Sequence, residues 1–217
     1  MTSWENVLLT DSGFYYDNEL DKPLYPLINR FQAMLGKPFS KAKVLFIPTA
    51  AMGNPDKAAE ITIRLKNELL QMGIHPSNIT IHDIDGSLSE ECAMHFDAIY
   101  LTGGSTRYLA KRVWETGFDK IIKAMVFANK VYIGMSAGSM LAMDNFNVDG
   151  LPEETPLEYA GLGLIKAYFN VHCEPGAPTR TGFPLPFIAM QCNQGLEVTS
   201  SGFRLIEGVK REQQSHF

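Results

Sequence analysis

The sequence contains little cysteine and no long apolar run. Its 217 residues include three cysteines, Cys92, Cys173 and Cys192, an odd number without the paired spacing of a disulfide framework or a zinc knuckle. No apolar run approaches the ~20 residues needed to cross a bilayer. Residues 1–13 lack the basic and apolar layout of a signal peptide. We therefore expect a cytoplasmic protein with reduced thiols.

Positive charge is also scarce. The 19 Lys and Arg residues are outnumbered by 24 Asp and Glu residues, which gives a net charge of −5. This balance provides no overall basic field, so we expect neither nucleic acid nor a membrane as a partner. Apolar residues make up 45% of the chain, as in ordinary globular proteins. The sequence shows no internal repeat or linker, which favours a single domain over residues 1–217.

Up to Met143, short apolar runs typical of strands alternate with segments of helical periodicity. The predicted strands are 6–10, 43–48, 79–84, 97–102 and 131–135. The predicted helices are 20–35, 56–72, 87–95, 106–115, 118–129 and 137–143. This alternation predicts an α/β fold with three layers, in which helices cover both faces of a mostly parallel sheet.

The pattern changes after Met143. Residues 144–159 are polar and contain proline, which indicates a loop. Five short segments typical of strands follow, at 162–165, 168–172, 187–190, 196–199 and 203–206.

The sharpest local signal is the run Gly134-Met135-Ser136-Ala137-Gly138. It fits G-x-S-x-G, the pattern of a nucleophile elbow, in which a serine occupies a sharp turn between a strand and a helix. A predicted strand enters this run and a predicted helix leaves it. The serine hydroxyl would then lie where backbone N–H groups favour a developing negative charge. Ser136 is therefore the candidate nucleophile.

A serine hydroxyl needs a base, and the chain has five histidines. His172 is the leading candidate because it ends a predicted strand beyond the elbow, and ligands meet an open α/β sheet at the carboxyl ends of its strands. The others lie in a turn, a strand, a short helix and the tail: His75, His82, His95 and His216.

The base in turn needs an acid that fixes its tautomer. The loop between Ser136 and His172 offers five carboxylates: Asp144, Asp149, Glu153, Glu154 and Glu158. Spacing alone does not choose among them.

An oxyanion hole needs two backbone N–H groups. In elbow sites one belongs to the residue after the nucleophile, here Ala137. Gly103 and Gly104 end a neighbouring predicted strand and could supply the other. An α/β-hydrolase fold does not fit, because it would place further strand–helix units between the serine and the histidine. Here Ser136 and His172 are only 36 residues apart.

Three ordered segments resemble the peptidase E and cyanophycinase family of serine peptidases. They are residues 101–109 (LTGGSTRYL), 134–138 (GMSAG) and 161–172 (GLGLIKAYFNVH). Residues 8–12 (LLTDS) and 46–49 (FIPT) are also similar to that family. The resemblance implies a fold like that of class I glutamine amidotransferases, with serine in place of their nucleophilic cysteine.

The resemblance also implies roles for particular residues. Ser136 would be the nucleophile, His172 the general base, and the amides of Gly104 and Ala137 the oxyanion hole. The family's acid lies between the serine and the histidine, which points to Asp149. Two alternatives stay open because the length of this loop varies: Glu154 and Glu158.

The expected function is a serine peptidase that hydrolyses short peptides through an acyl-enzyme, with dipeptides and aspartyl or isopeptide-type bonds as candidate substrates. No metal and no organic cofactor is expected, and a homodimer stays open. Two alternatives remain. One is a non-catalytic protein on the same fold that binds a small molecule or a protein partner, and the other is an amidase.

Overall fold

A computed structural model describes residues 4–16, 20, 22–85, 87–144, 159–174, 176 and 185–207. Its strands are β1 (Val7–Thr10), β2 (Val44–Ile47), β3 (Ile79–Ile81), β4 (Ala98–Leu101), β5 (Val131–Met135), β6 (Tyr168–Asn170), β7 (Phe187–Ala189), β8 (Gln194–Thr199) and β9 (Gly202–Glu207). Its helices are α1 (Tyr25–Leu35), α2 (Thr49–Met52), α3 (Pro55–Gln71), α4 (Glu90–Ala93), α5 (Thr106–Thr116), α6 (Phe118–Phe127) and α7 (Ala137–Met140).

The main sheet has seven strands in the order β3-β2-β4-β5-β1-β8-β9. The first five of these are parallel, while β8 runs antiparallel to β1 and β9 antiparallel to β8. Strands β6 and β7 form a separate parallel pair. The first strand of the chain thus lies inside the sheet, directly beside β5. The α/β fold with a mostly parallel sheet, expected from the sequence, is confirmed.

Alternate residues of the strands supply two hydrophobic cores, one on each face of the sheet. On one face, Val7 and Leu9 pack in a cluster that includes α5, α6 and α7. On the other, Leu8 packs in a cluster that includes α1 and α3. Each of these three β1 side chains is fully buried. The continuous apolar runs of the sequence therefore belong to strands that are covered on both sides.

The predicted strand at residues 162–165 is wrong. These residues pair with no strand and instead lie against the end of α7. The N–H groups of Leu162 and Leu164 donate to the carbonyls of Leu141 and Ala142, both at 2.8 Å. The carbonyls at the end of a helix lack partners within the helix, so an extended segment can satisfy them. An apolar run of this length does not reveal which partner its backbone will find.

None of the helices in the described parts of the chain combines the length and the apolar character that crossing a membrane would need.

Candidate active site

Ser136 lies at a sharp turn between β5 and α7. Its backbone has φ 48° and ψ −106°, a conformation that side-chain-bearing residues rarely adopt and that costs on the order of 1–3 kcal/mol. The neighbouring strand β1 holds this turn: Ser136 N–H donates to the Thr10 carbonyl at 3.0 Å, and the Thr10 hydroxyl donates to the Gly134 carbonyl at 3.1 Å. Hydrogen bonds to a second strand thus hold Ser136 in its strained backbone conformation.

The two glycines of the G-x-S-x-G run are required by close backbone approach. A Cβ atom on Gly134 would lie 2.6 Å from the Gly138 carbonyl oxygen, and one on Gly138 would lie 2.3 Å from the Leu101 carbonyl oxygen. Backbone atoms cannot move aside as a flexible side chain can. The motif therefore marks a place where the strand, the turn and the helix crowd together.

His172 lies beside the Ser136 hydroxyl. The distance from Ser136 Oγ to His172 Nε2 is 2.8 Å, a hydrogen bond between residues that are 36 apart in sequence. His172 lies two residues beyond β6 and has φ 57°, so its backbone is also left-handed. Its side chain is half exposed. The structure thus brings together the two residues that the sequence suggested as nucleophile and base.

Among the described residues, Asp11 is the carboxylate that contacts His172, and it is not one of the acids suggested by the sequence. Asp11 Oδ2 lies 3.0 Å from His172 Nδ1, while Asp11 Oδ1 accepts a hydrogen bond from the His172 backbone N–H. The Asp11 side chain is fully buried. The Ser12 hydroxyl lies 3.0 Å from Asp11 Oδ2 and also contacts the Cys192 carbonyl oxygen. Asp11 therefore fixes both the backbone and the ring of His172.

This contact determines the tautomer of His172. With Nδ1–H donating to Asp11, Nε2 is left as the acceptor for the Ser136 hydroxyl. The side-chain hydrogen bond to Asp11 raises the pKa of His172, burial opposes this, and the negative charge of Asp11 adds a smaller increase. The ring is therefore a stronger base than an isolated histidine.

The acid suggested by the family resemblance, Asp149, lies outside the described residues, so that prediction stays a prediction. The same holds for Glu153, Glu154 and Glu158. The fifth carboxylate of the loop, Asp144, is described and is exposed. A signal for Asp11 was present in the sequence, because Asp11 directly follows β1 and the carboxyl ends of parallel strands share one edge of a sheet.

The Gly103–Gly104 turn packs against the elbow. A Cβ atom on Gly103 would lie 3.2 Å from Ser136 Cβ, and Gly104 has φ 139° with the Ala50 carbonyl oxygen 2.2 Å from the position of a Cβ. The amides that follow Gly104 and Ala137 are engaged, since Ser105 N–H donates to Ala50 and Gly138 N–H to Thr102. Within the described part of the chain, the amides of Gly104 and Ala137 donate to no carbonyl or side chain.

A third side chain completes a cluster of possible metal ligands. Asp11, His172 and Cys192 each present one ligand atom, and these atoms all lie within 4.8 Å of one another. Cys192 is exposed and takes part in no disulfide. In the sequence, Cys192 served only as evidence against a disulfide framework and a zinc knuckle.

The known proteins that this chain resembles are peptidases. Residues 7–196 match the model of peptidase family S51. An uncharacterized peptidase of Listeria monocytogenes is 33% identical over 146 residues, which cover 65% of this chain and 62% of that protein. A peptidase E of Actinobacillus pleuropneumoniae is 25% identical over 169 residues, which cover 77% of this chain and 68% of that protein. The chain thus spans less than two thirds of the Listeria relative's length.

A solved structure shares the fold. The crystal structure of a Listeria monocytogenes EGD-e protein assigned to peptidase E superimposes with a TM-score of 0.64 and covers 95% of this chain and 100% of that chain. The two sequences are 20% identical, so this likeness concerns the architecture alone.

Proposed function

Because this chain belongs to peptidase family S51, we propose that it is a serine peptidase in which Ser136, His172 and Asp11 act as one catalytic unit. The observation that carries the proposal is the continuous line of contacts, 2.8 Å from Ser136 Oγ to His172 Nε2 and 3.0 Å from His172 Nδ1 to Asp11 Oδ2. A nucleophile, a base and an orienting acid in this order are the requirements for acyl transfer at neutral pH.

The first half of the reaction forms an acyl-enzyme. His172 Nε2 takes the proton of the Ser136 hydroxyl as Oγ attacks the carbonyl carbon of the scissile bond. The carbonyl oxygen becomes an oxyanion, which the amides of Gly104 and Ala137 stabilise by hydrogen bonds. His172 then returns its proton to the leaving amine as the C–N bond breaks, so the amine product departs and the acyl group stays on Ser136.

The second half returns the enzyme to its starting state. His172 takes a proton from water, the hydroxide oxygen attacks the ester carbonyl, and the same amides hold the second oxyanion. The proton passes back to Ser136 Oγ as the ester bond breaks. Asp11 keeps its negative charge throughout and stabilises the imidazolium form of His172 in both halves.

Short peptides are the proposed substrates, with dipeptides and aspartyl or isopeptide-type bonds as the first to examine. This part rests on the family resemblance of residues 101–109, 134–138 and 161–172. We place the reaction in the cytoplasm on the cysteine composition described above. The binding-protein alternative would gain support if no carboxylate reached His172 and His172 did not reach Ser136. The distances of 3.0 and 2.8 Å give it no such support.

A fluorophosphonate probe tests the proposal, because it forms a covalent bond with an activated serine. We expect the wild-type chain to be labelled at Ser136, and the Ser136→Ala variant to remain unlabelled and to lose about 10⁴–10⁶-fold in peptide turnover. The Ser201→Ala variant is the matched control, since Ser201 is exposed in the turn between β8 and β9. Equal labelling of wild type and Ser136→Ala, or no labelling of either, would contradict the proposal.

A further inference from the structure

We propose that Ser139 is a positioning residue for the peptidase reaction, and that together with Thr10 it keeps the nucleophile at hydrogen-bond distance from its base. Its effect on turnover rests on the proposed function, whereas the contacts that carry it stand on their own. Ser139 directly follows the G-x-S-x-G run and lies in α7, three residues beyond Ser136.

The candidate site has two halves that belong to different parts of the fold. One half is the end of β1, where Asp11 bonds both the backbone N–H and the ring of His172. The other half is the elbow, where Ser136 lies between β5 and α7. Proton transfer needs Ser136 Oγ and His172 Nε2 to stay in hydrogen-bond reach, so the two halves must keep a fixed separation.

The Ser139 hydroxyl joins these two halves. Its Oγ accepts a hydrogen bond from the Thr10 N–H at 3.0 Å and donates one to the Thr10 carbonyl at 2.8 Å. A hydroxyl has one proton to donate and lone pairs that accept, so this group is used in both senses. Ser139 and Thr10 are both fully buried. Ser139 thus bonds the N–H and the carbonyl of the residue directly before Asp11, as a neighbouring strand would.

Thr10 carries further bonds to the elbow. Its carbonyl also accepts from the Ser136 N–H at 3.0 Å, and its hydroxyl donates to the Gly134 carbonyl at 3.1 Å. The last residue of β1 is therefore bonded to Ser136 itself and to one residue on each side of it, Gly134 and Ser139. These bonds tie the strand that carries the acid and the base to the turn that carries the nucleophile.

Other contacts of α7 lead to β4 and β5. The Gly138 N–H donates to the Thr102 carbonyl at 3.2 Å, and the Tyr132 hydroxyl donates to the Gly138 carbonyl at 2.6 Å. Thr102 directly precedes the Gly103–Gly104 turn, so these contacts hold the elbow against the proposed oxyanion amides. Loss of the Ser139 hydroxyl should therefore leave the elbow in place and loosen its attachment to the end of β1.

Nitrogen NMR of the histidines tests this without any need for turnover, because the ¹⁵N shift of an imidazole nitrogen depends on the hydrogen bond it makes. In Ser139→Ala we expect the His172 Nε2 shift to move toward that of an unbonded nitrogen, while Nδ1 keeps its shift because Asp11 still bonds it. Leu35→Ala is the control, since Leu35 ends α1 in the core on the other face of the sheet, and should leave both shifts unchanged. An unchanged Nε2 shift in Ser139→Ala would overturn the proposal.

Kinetics tests the consequence for turnover, with kcat expressed per site that the fluorophosphonate probe labels, so that unfolded molecules are not counted. Ser139→Ala should lower kcat about 10–100-fold, because a small displacement of the nucleophile slows the chemical step. KM and the pH midpoint of kcat/KM should stay at their wild-type values, since the Asp11–His172 contact is intact. A wild-type kcat in Ser139→Ala, or an equal loss in Leu35→Ala, would show that Ser139 serves stability alone.

Thr10 provides a second pair of variants if Ser139→Ala does not fold. Thr10→Val keeps the branched shape but removes the bond to the Gly134 carbonyl, whereas Thr10→Ser keeps the hydroxyl. We expect a lower kcat in Thr10→Val and recovery of most of it in Thr10→Ser, and equal values in the two variants would contradict the proposal. If the wild-type chain hydrolyses no peptide but the nitrogen shifts change as expected, the peptidase function is wrong and the positioning contact stands.

Discussion

Ser136 and His172 both have left-handed backbones, a trait they share with only Asn6 and Asn129 among the non-glycine residues of the described chain. Each is held by a hydrogen bond from its own N–H to the end of β1. Ser136 N–H donates to the Thr10 carbonyl, and His172 N–H donates to the Asp11 carboxylate. Two adjacent residues thus hold both strained positions, which explains how the serine and the histidine keep a common orientation.

Replacing Asp11 tests its role as the orienting acid. We expect Asp11→Asn to lower kcat/KM by about 10⁴-fold, because the amide favours the wrong histidine tautomer and cannot stabilise the imidazolium. Asp149→Asn is the paired variant and should have little effect. The opposite result, with the large loss in Asp149→Asn, would return the role to the residue implied by the family resemblance. Circular dichroism would verify that both variants are folded.

The pH profile of the same variants has a defined sign. The base must be neutral, so kcat/KM rises with pH as His172 loses its proton, and the hydrogen bond to Asp11 moves this rise to higher pH by raising the pKa of His172. In Asp11→Asn the residual activity should rise at lower pH than in wild type. An unchanged midpoint would contradict this account of the pKa.

At the scale of elements, helix α3 supports the loop that follows β1. Glu68 is fully buried on α3, where Oε2 accepts a hydrogen bond from Phe14 N–H at 2.9 Å and Oε1 pairs with Arg64 at 2.9 Å. Burial raises the pKa of Glu68 to about 7, outweighing the Phe14 N–H and the Arg64 charge, which both lower it. A carboxyl group that titrates near neutral pH therefore lies under the loop that carries Asp11.

The stability of the fold should follow the titration of Glu68. Its folded pKa exceeds the ordinary value of 4.5, so the folded state binds more protons between pH 4.5 and about 7. The free energy of unfolding therefore falls as pH rises through this range and levels off above it, by about 2–3 kcal/mol between pH 5 and pH 8.

Urea unfolding of Glu68→Gln at both pH values checks this. Between pH 5 and pH 8, the free energy of unfolding should fall by about 2–3 kcal/mol more in the wild type than in the variant. Glu60→Gln, on the exposed side of the same helix, should keep the wild-type decrease. A Glu68→Gln variant with the full pH dependence would show that another group is responsible.

The elements differ in how far the sequence predicts them. The strand, turn and helix around Ser136 are predictable because local crowding demands glycine at fixed positions. Asp11 was missed because it contacts a residue 161 positions away, and its place at the carboxyl end of β1 does not identify that partner. Residues 162–165 were mistaken for a strand because their apolar side chains do not show that their amides bond to the end of α7. Local sterics can be deduced from a sequence, whereas the choice of a distant partner cannot.

At the scale of the whole molecule, the two hydrophobic cores share one sheet and should unfold together. Phe31 on α1 is fully buried between the rings of Phe14 and Phe39, with centroid distances of 5.5 and 5.3 Å. Phe118 on α6 is buried on the opposite face. Each of these two phenylalanines packs in a core with strands whose alternate residues belong to the other core.

Phe31→Ala and Phe118→Ala should each lower the free energy of unfolding by about 3–5 kcal/mol and shift the same single transition in urea. Far-ultraviolet circular dichroism and tryptophan fluorescence should give coincident curves for both variants. Phe127→Ala is the control, since Phe127 is 74% exposed, and should change stability by less than about 0.5 kcal/mol. Two separate transitions would show that the cores are independent.

The place of β1 in the sheet has a consequence during protein synthesis. A ribosome makes His172 161 residues after Asp11, which at about 5–20 residues per second is a delay of roughly 10–30 s. Strand β5, the parallel neighbour of β1, also emerges late, and β8 later still. The growing chain therefore cannot bring Ser136, His172 and Asp11 together before the segment that carries His172 has left the ribosome.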